Sequence, residues 1–352
     1  MKPFPTAVFH SPRRLSLAAL GLSLVTAVAD PVLFPLAHAQ QPAGPQTLTL
    51  VSYAVTKTAY DQITKRFAAE WKAKTGQTVT FKASYGGSGS QTRAVIDGLE
   101  ADVVNLAMAA DVSKIEKAGL IKAGWQKELP NNSTPVNSTV VAFVRPGNPK
   151  KINTWQDLDN KNVDVVTANP KTSGGARWNF LALWGAITRT GGDEARARSF
   201  ITGVYKNADV LPKDAREATD FFVKRNQGDV LLNWETEAIL AKQKGEWTTP
   251  YKVFSPNVLT EQPVAVVDKV VDKRGTRKVA EAFARYLYTP TAQRIFVDKG
   301  FRPVTPEGKA YARGKFPAVK FFKVGDFGGW GGVDQKFFGK GGVWDQIFAK
   351  SR

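Results

Sequence analysis

The sequence contains no cysteine, and its two histidines, His10 and His38, both fall within the first 39 residues. That opening stretch reads as an export signal: Lys2, Arg13 and Arg14 form a basic n-region, residues 15–29 an apolar run, and Ala37-His38-Ala39 an A-x-A cleavage site. Cleavage there starts the mature chain at Gln40 and removes every imidazole. A cysteine nucleophile, a disulfide framework, a Cys or His metal site and a Ser-His-Asp triad are then excluded together. Carboxylate, lysine or tyrosine chemistry is what remains for catalysis, and no carboxylate pair stands at a suggestive spacing. The expectation is a protein that is not an enzyme and uses no cofactor. Stability must come from packing alone.

Long apolar runs are missing too. The run at 15–29 is broken by Asp30 and Pro31, short of the roughly 20 residues a membrane span needs. Arg13-Arg14 matches a twin-arginine signal poorly, because Pro12 precedes the pair and Ser16 stands where a bulky apolar residue is usual. Acidic charge is in deficit, with 31 Asp and Glu against 49 Lys and Arg, a formal +18. Lys2, Arg13 and Arg14 against Asp30 account for +2 of it, leaving +16 on the mature chain. That balance favours anionic partners. The basic residues are nevertheless spread along the chain with acids between them, and no basic arm appears, so nucleic acid is not expected.

What is present is an alternation of periods. Of the 352 residues, 43% are hydrophobic, more than one compact core usually holds. After a leader at 40–46, residues 47–52 alternate as a strand, and Tyr60, Ile63, Phe67 and Trp71 mark one face of a helix over 59–74 that Gly76 stops. A strand at 78–83, a helix over 91–99 and a strand at 102–107 follow. A second unit begins after the strand 139–145, with strands at 163–167, 208–211 and 229–232 and helices over 176–188 and 217–225. Residues 263–268 read as a return crossing, and helices over 277–288 and 290–297 follow. The βαβ pattern predicts mostly parallel sheets. The expected organisation is a first lobe from 47–137 and 263–352 and a second from 138–262, with two crossings forming a hinge and a cleft between the lobes.

The informative positions lie between strand and helix. Tyr85-Gly86-Gly87-Ser88-Gly89-Ser90, Lys171-Thr172-Ser173-Gly174-Gly175-Ala176, Lys213-Asp214-Ala215-Arg216 and Ser52-Tyr53-Ala54-Val55-Thr56 each precede a predicted helix. The first amides of a helix have no internal partner, and the dipole adds positive charge there, so an anion gains hydrogen bonds and field together. Hydroxyls on Ser88 and Ser173 add donors, and the indole of Trp234 donates without accepting. Charged hydrogen bonds of about 1.5–3 kcal/mol each make about seven donors worth roughly 10–20 kcal/mol gross. Micromolar binding needs about 8 kcal/mol net. A Gly-Ser turn alone is usually only a turn, and a lone Trp is more often core. The coincidence of four junctions carries the reading. No Walker or G-x-G-x-x-G spacing occurs in 86–90, and the glycine-rich Gly328-Gly329-Trp330-Gly331-Gly332 reads as a packing turn.

Four blocks resemble the periplasmic sulfate-binding proteins of sulfate and thiosulfate ABC importers: 85–89, 169–179, 228–235 (Gly-Asp-Val-Leu-Leu-Asn-Trp-Glu) and 267–271. The resemblance implies an α/β, type II periplasmic binding protein fold: two lobes, a two-strand hinge and a ligand cleft. It implies a monomer in the periplasm that serves an ABC transporter permease in the membrane. It further implies that sulfate is held by the amide of Ala54, by Ser88, by the Ser173-Gly174-Gly175 turn, by the amide of Ala215 and by the indole of Trp234. Two departures stand out: Ala54, often an aspartate in relatives, and the loop 213–217, where Asp214 and Glu217 would repel sulfate if turned inward. Sulfate carries no proton at neutral pH, whereas phosphate keeps one or two and needs an acceptor. A donor-only pocket prefers sulfate. Thiosulfate remains a co-ligand, phosphate or molybdate the nearest alternative, and an extracytoplasmic hydrolase or a basic envelope-binding protein the readings from other classes.

Overall fold

The computed structural model describes residues 44–351; the expected signal and most of the leader lie outside the described residues. The first sheet is built on β1 (Gln46–Tyr53), which pairs in parallel with β2 (Val79–Gly86) and β3 (Val103–Asn105). Leu48, Leu50 and Val51 on β1 are buried, and α1 (Lys57–Thr75) packs Tyr60, Ile63 and Phe67 inward. It ends at Gly76, whose φ of 73° forms the left-handed cap that glycine adopts at least cost. The helices α2 (Ser88–Ile96) and α3 (Ala109–Lys117) flank β3, and a single turn, α4 (Pro130–Ser133), precedes the hinge.

The chain leaves the first sheet through β4 (Val136–Ser138) and enters the second as β5 (Val140–Val144). There β5 pairs antiparallel with β7 (Val230–Trp234), which pairs in parallel with β6 (Val165–Val166). Around this sheet lie α5 (Gly174–Thr188), α6 (Glu194–Lys206), α7 (Ala215–Val223) and α8 (Glu235–Gln243). After the short β8 (Asn257–Val258), β9 (Thr260–Gln262) carries the chain back into β10 (Val264–Val266), which lies antiparallel to β3. The two crossings are hydrogen-bonded to each other, with Val136 opposite Gln262 and Ser138 opposite Thr260. Asn105 pins the return by donating to the carbonyls of Gln262 and Pro263 at 3.2 and 2.8 Å.

The first lobe is completed by α9 (Asp268–Arg274), α10 (Arg277–Tyr286), α11 (Pro290–Asp298), β11 (Arg302–Pro303) and α12 (Pro306–Tyr311). Phe283 of α10 meets Phe67 and Phe81, and Phe296 of α11 meets Tyr60 edge-on. The remaining segment corrects the expectation that all of 263–352 belongs to the first lobe. From β12 (Phe321–Phe322) through α13 (Gly329–Val333) to α14 (Val343–Ser351), the tail covers the second lobe. Phe322 fills the space beside Gly185, Phe337 meets Trp184 at 4.7 Å, and Trp344 meets Tyr205 at 4.7 Å. The physical reason is the aromatic face that Phe180, Trp184 and Tyr205 present on α5 and α6, which Phe322, Phe337 and Trp344 cover.

The expected strand at 208–211 does not form. Its only ladder-like bonds lie at its ends, from Val165 to the carbonyl of Asn207 and from Asn169 to that of Pro212. Pro212 has no amide to donate, and Asp209 and Val210 face solvent. No helix among the described residues is long and apolar enough to cross a membrane.

One ion pair ties the hinge to the second lobe. Arg302 on β11, paired with β4, donates from Nε and Nη2 to the two oxygens of Glu235 at 2.6 and 2.9 Å. Glu235 opens α8 directly after Trp234 and is fully buried. Burial pushes its pKa up, and Arg302 and the hydroxyl of Tyr251 pull it back. Arg302→Ala strands this carboxylate, and urea denaturation is expected to show a loss of about 3–5 kcal/mol.

Candidate functional site

The structure starts three helices earlier than their apolar periodicity suggests. Helix α2 begins at Ser88 rather than 91, α5 at Gly174 rather than 176, and α7 at Ala215 rather than 217. The small residues between strand and helix are therefore themselves the first turn. Their side chains are too short to mask the opening amides.

These starts converge. Tyr53, Ala54, Val55, Gly86, Gly87, Ser88, Ala107, Ser173, Gly174, Gly175, Asp214, Ala215 and Trp234 line one small pocket. All seven residues singled out from the sequence (Ala54, Ser88, Ser173, Gly174, Gly175, Ala215 and Trp234) are among them, and no lysine or arginine is. The sheets explain the placement. β1 and β2 run in parallel with Tyr53 opposite Gly86, so both carboxyl ends open on the same crevice, and β7 ends there from the other lobe at Trp234.

Capping decides which amides stay free. The hydroxyl oxygen of Ser173 accepts from the amide of Ala176 at 3.3 Å, and Asp214 accepts from that of Glu217 at 2.9 Å. Each cap answers the third amide of its helix, which leaves those of Gly174, Gly175 and Ala215 without an intrahelical partner. Ser88 occupies the same first position in α2, after Gly87. The Ser173 hydroxyl, accepting through oxygen, keeps its proton for the pocket. No acceptor among the described residues meets the indole N–H of Trp234, which is 3% exposed.

Glycine is required by contact at two of these turns. A Cβ on Gly175 would lie 2.3 Å from Nε1 of Trp234, and one on Gly87 would lie 2.6 Å from the carbonyl oxygen of Thr172 in the opposite lobe.

Three expectations are refined. The Ser88 hydroxyl donates to Oδ2 of Asp111 at 2.7 Å and accepts from the amide of Ala107 at 3.0 Å. Its proton is committed to a buried carboxylate, so Ser88 offers the pocket its backbone amide rather than its side chain. Glu217 does not line the pocket and accepts from the amide of Lys213 at 2.9 Å. Asp214 does border it, so the lining is not composed of donors alone.

Two residues escaped the sequence reading. Tyr53 packs its ring 5.9 Å from that of Trp234, and its hydroxyl is buried without a partner. Burial first, and the nearby Glu237 second, push that phenol well above its ordinary range. Asn233 donates to the carbonyl of Ala215 at 2.7 Å and to Thr219 at 2.9 Å, and accepts from the amide of Trp234 at 2.9 Å. Its signal was an amide side chain at the end of the apolar run Val230-Leu231-Leu232. No group of three His, Cys, Asp or Glu able to hold a metal occurs among the described residues.

The model of the bacterial extracellular solute-binding protein family matches residues 48–302. The chain belongs to that family. This solute-binding protein is 57% identical over 305 residues to a sulfate-binding protein of Synechococcus elongatus, covering 86% of this chain and 87% of the relative. It is 41% identical to a thiosulfate-binding protein of Pseudomonas aeruginosa, covering 95% and 97% of the two chains. Among solved structures it superposes on the sulfate-binding protein SubI of Mycobacterium tuberculosis H37Rv with a TM-score of 0.75 at 34% identity, covering 84% of this chain and all of that one. The architecture is the type II periplasmic binding protein fold, two α/β lobes on a paired-strand hinge.

Gly175→Ala tests the cradle. The added methyl is expected to displace the Trp234 indole and weaken anion binding by at least about tenfold, the worth of one charged hydrogen bond, in a calorimetric titration.

Proposed function

We propose that this solute-binding protein captures sulfate, with thiosulfate as a second ligand, in the periplasm and delivers it as a monomer to an ABC transporter permease. The observation that carries the reading is the pocket itself: first-turn amides of Ser88, Gly174, Gly175 and Ala215, the Ser173 hydroxyl and the Trp234 indole around one small space, with no cationic side chain. Ala54 stands at the fourth start, the 3-10 turn that leads into α1. Fixed neutral donors suit a dianion that brings no proton of its own. The names of the relatives point the same way.

Phosphate is the second reading, and Asp214 is what favours it. A carboxylate on the rim can accept the proton that hydrogen phosphate carries. Calorimetric competition among sulfate, thiosulfate, phosphate and molybdate decides between them. Sulfate or thiosulfate is expected to bind most tightly, and phosphate binding more tightly than both would overturn the sulfate reading. Asp214→Asn keeps a capping side chain and removes a like charge. It is expected to strengthen sulfate binding about threefold while weakening phosphate relative to sulfate.

The mature sequence holds no histidine, and burial moves Tyr53 further from neutrality. Sulfate affinity is accordingly expected to stay within about threefold from pH 5 to 8, where histidine is the usual titrating group. A tenfold change would argue against this pocket.

A further inference from the structure

Two hydrogen bonds span the cleft from donors outside the pocket lining. Trp178, in the second turn of α5, donates from Nε1 to the carbonyl of Ala107 in the other lobe at 2.7 Å. The amide of Gly89 donates to the carbonyl of Thr172 at 3.2 Å. Trp178 and Ala107 are 0% and 1% exposed, so the indole bond is fully shielded from water.

Both ends of that bond are braced. On the acceptor side, the Ala107 amide donates to the Ser88 hydroxyl, which donates on to Asp111. The relay holds the loop after β3 against the start of α2. On the donor side, the ring of Trp330 meets Trp178 edge-on, with centroids 4.8 Å apart. Trp330 is set there by the glycine-rich tail turn. Gly328 and Gly329 take φ of 79° and 68°, and a Cβ on Gly332 would lie 2.8 Å from the carbonyl of Phe327. The motif therefore does more than pack, since it backs the indole that donates across the cleft to Ala107.

We infer that Trp178, seated by Trp330, is a positioning residue that latches the closed lobes and sets how long the anion is retained, without touching the anion. The inference rests on the sulfate reading and deepens it. The bond to Ala107 exists only while the lobes are together, so it stabilises the closed form and leaves the first encounter with ligand unchanged. A group that acts on one side of the closing equilibrium changes release rather than capture.

Trp178→Phe retains an aromatic ring and deletes the donor. In stopped-flow measurements on the purified protein with sulfate, dissociation is expected to quicken roughly three- to tenfold, the range for one neutral hydrogen bond, with association within about twofold of wild type. The melting temperature without sulfate is expected to be unchanged, whereas a merely structural tryptophan would lower it with and without sulfate alike. Unchanged dissociation, or equal losses of stability in both states, overturns the latch. Trp330→Phe, remote from the pocket, guards against a folding failure at Trp178 and is expected to quicken dissociation in the same direction; no effect there removes the tail turn from the device. If wild type binds no sulfate, the sulfate reading fails by itself, and the same rates are read with whichever of thiosulfate or phosphate binds.

Discussion

An amide N–H at the start of a helix cannot be satisfied by its own helix, and the pocket is organised around that constraint. Three helix starts and a 3-10 turn border one space, and first-turn donors left without partners there are costly while empty and favoured by negative charge. Much else in the chain serves to keep those donors both free and fixed. The caps at Ser173 and Asp214 stop at the third amide, Asn233 holds the first turn of α7 to the strand that carries Trp234, and glycines let the opposing loops close to contact.

Charge is consequently divided between two tasks. The lysines and arginines that give the chain its positive balance are absent from the pocket lining. A positive balance favours the approach of anions, and its field is screened within about 8–10 Å at ordinary ionic strength. On the proposed reading the grip comes from fixed dipoles lining a small pocket, which salt screens much less. On that reading capture rate and affinity are set by different atoms.

The alternation of strand and helix was legible because its periods of two and 3.6 are local properties of Tyr60, Ile63 and Phe67 or of β1. The lining of the pocket was legible for a related reason: runs such as Ser173-Gly174-Gly175 serve neither period and so stand out at the junctions. What could not be read depends on partners far away in the chain. The direction of the Ser88 hydroxyl is fixed by Asp111 and Ala107, and the placement of the tail by Trp184, Tyr205 and Gly185. Tyr53 belongs with these, since its value lies in the ring of Trp234 that it meets from the other lobe. The strand expected at 208–211 shows the opposite error, a local β pattern left without a continuous neighbour to pair with.

The tail has a mechanical consequence as well. Having returned to the first lobe for α9 through α12, the chain crosses once more, between Ala312 and Phe321, to lie on the second. Arg302 grips this third connection near its far end, with its guanidinium over the rings of Phe316 and Phe321 and a bond to the carbonyl of Pro317. Two adjacent strands alone would let one body swivel on the other as well as bend. A third tether opposes the swivel and leaves bending of the paired strands as the freer motion between the lobes.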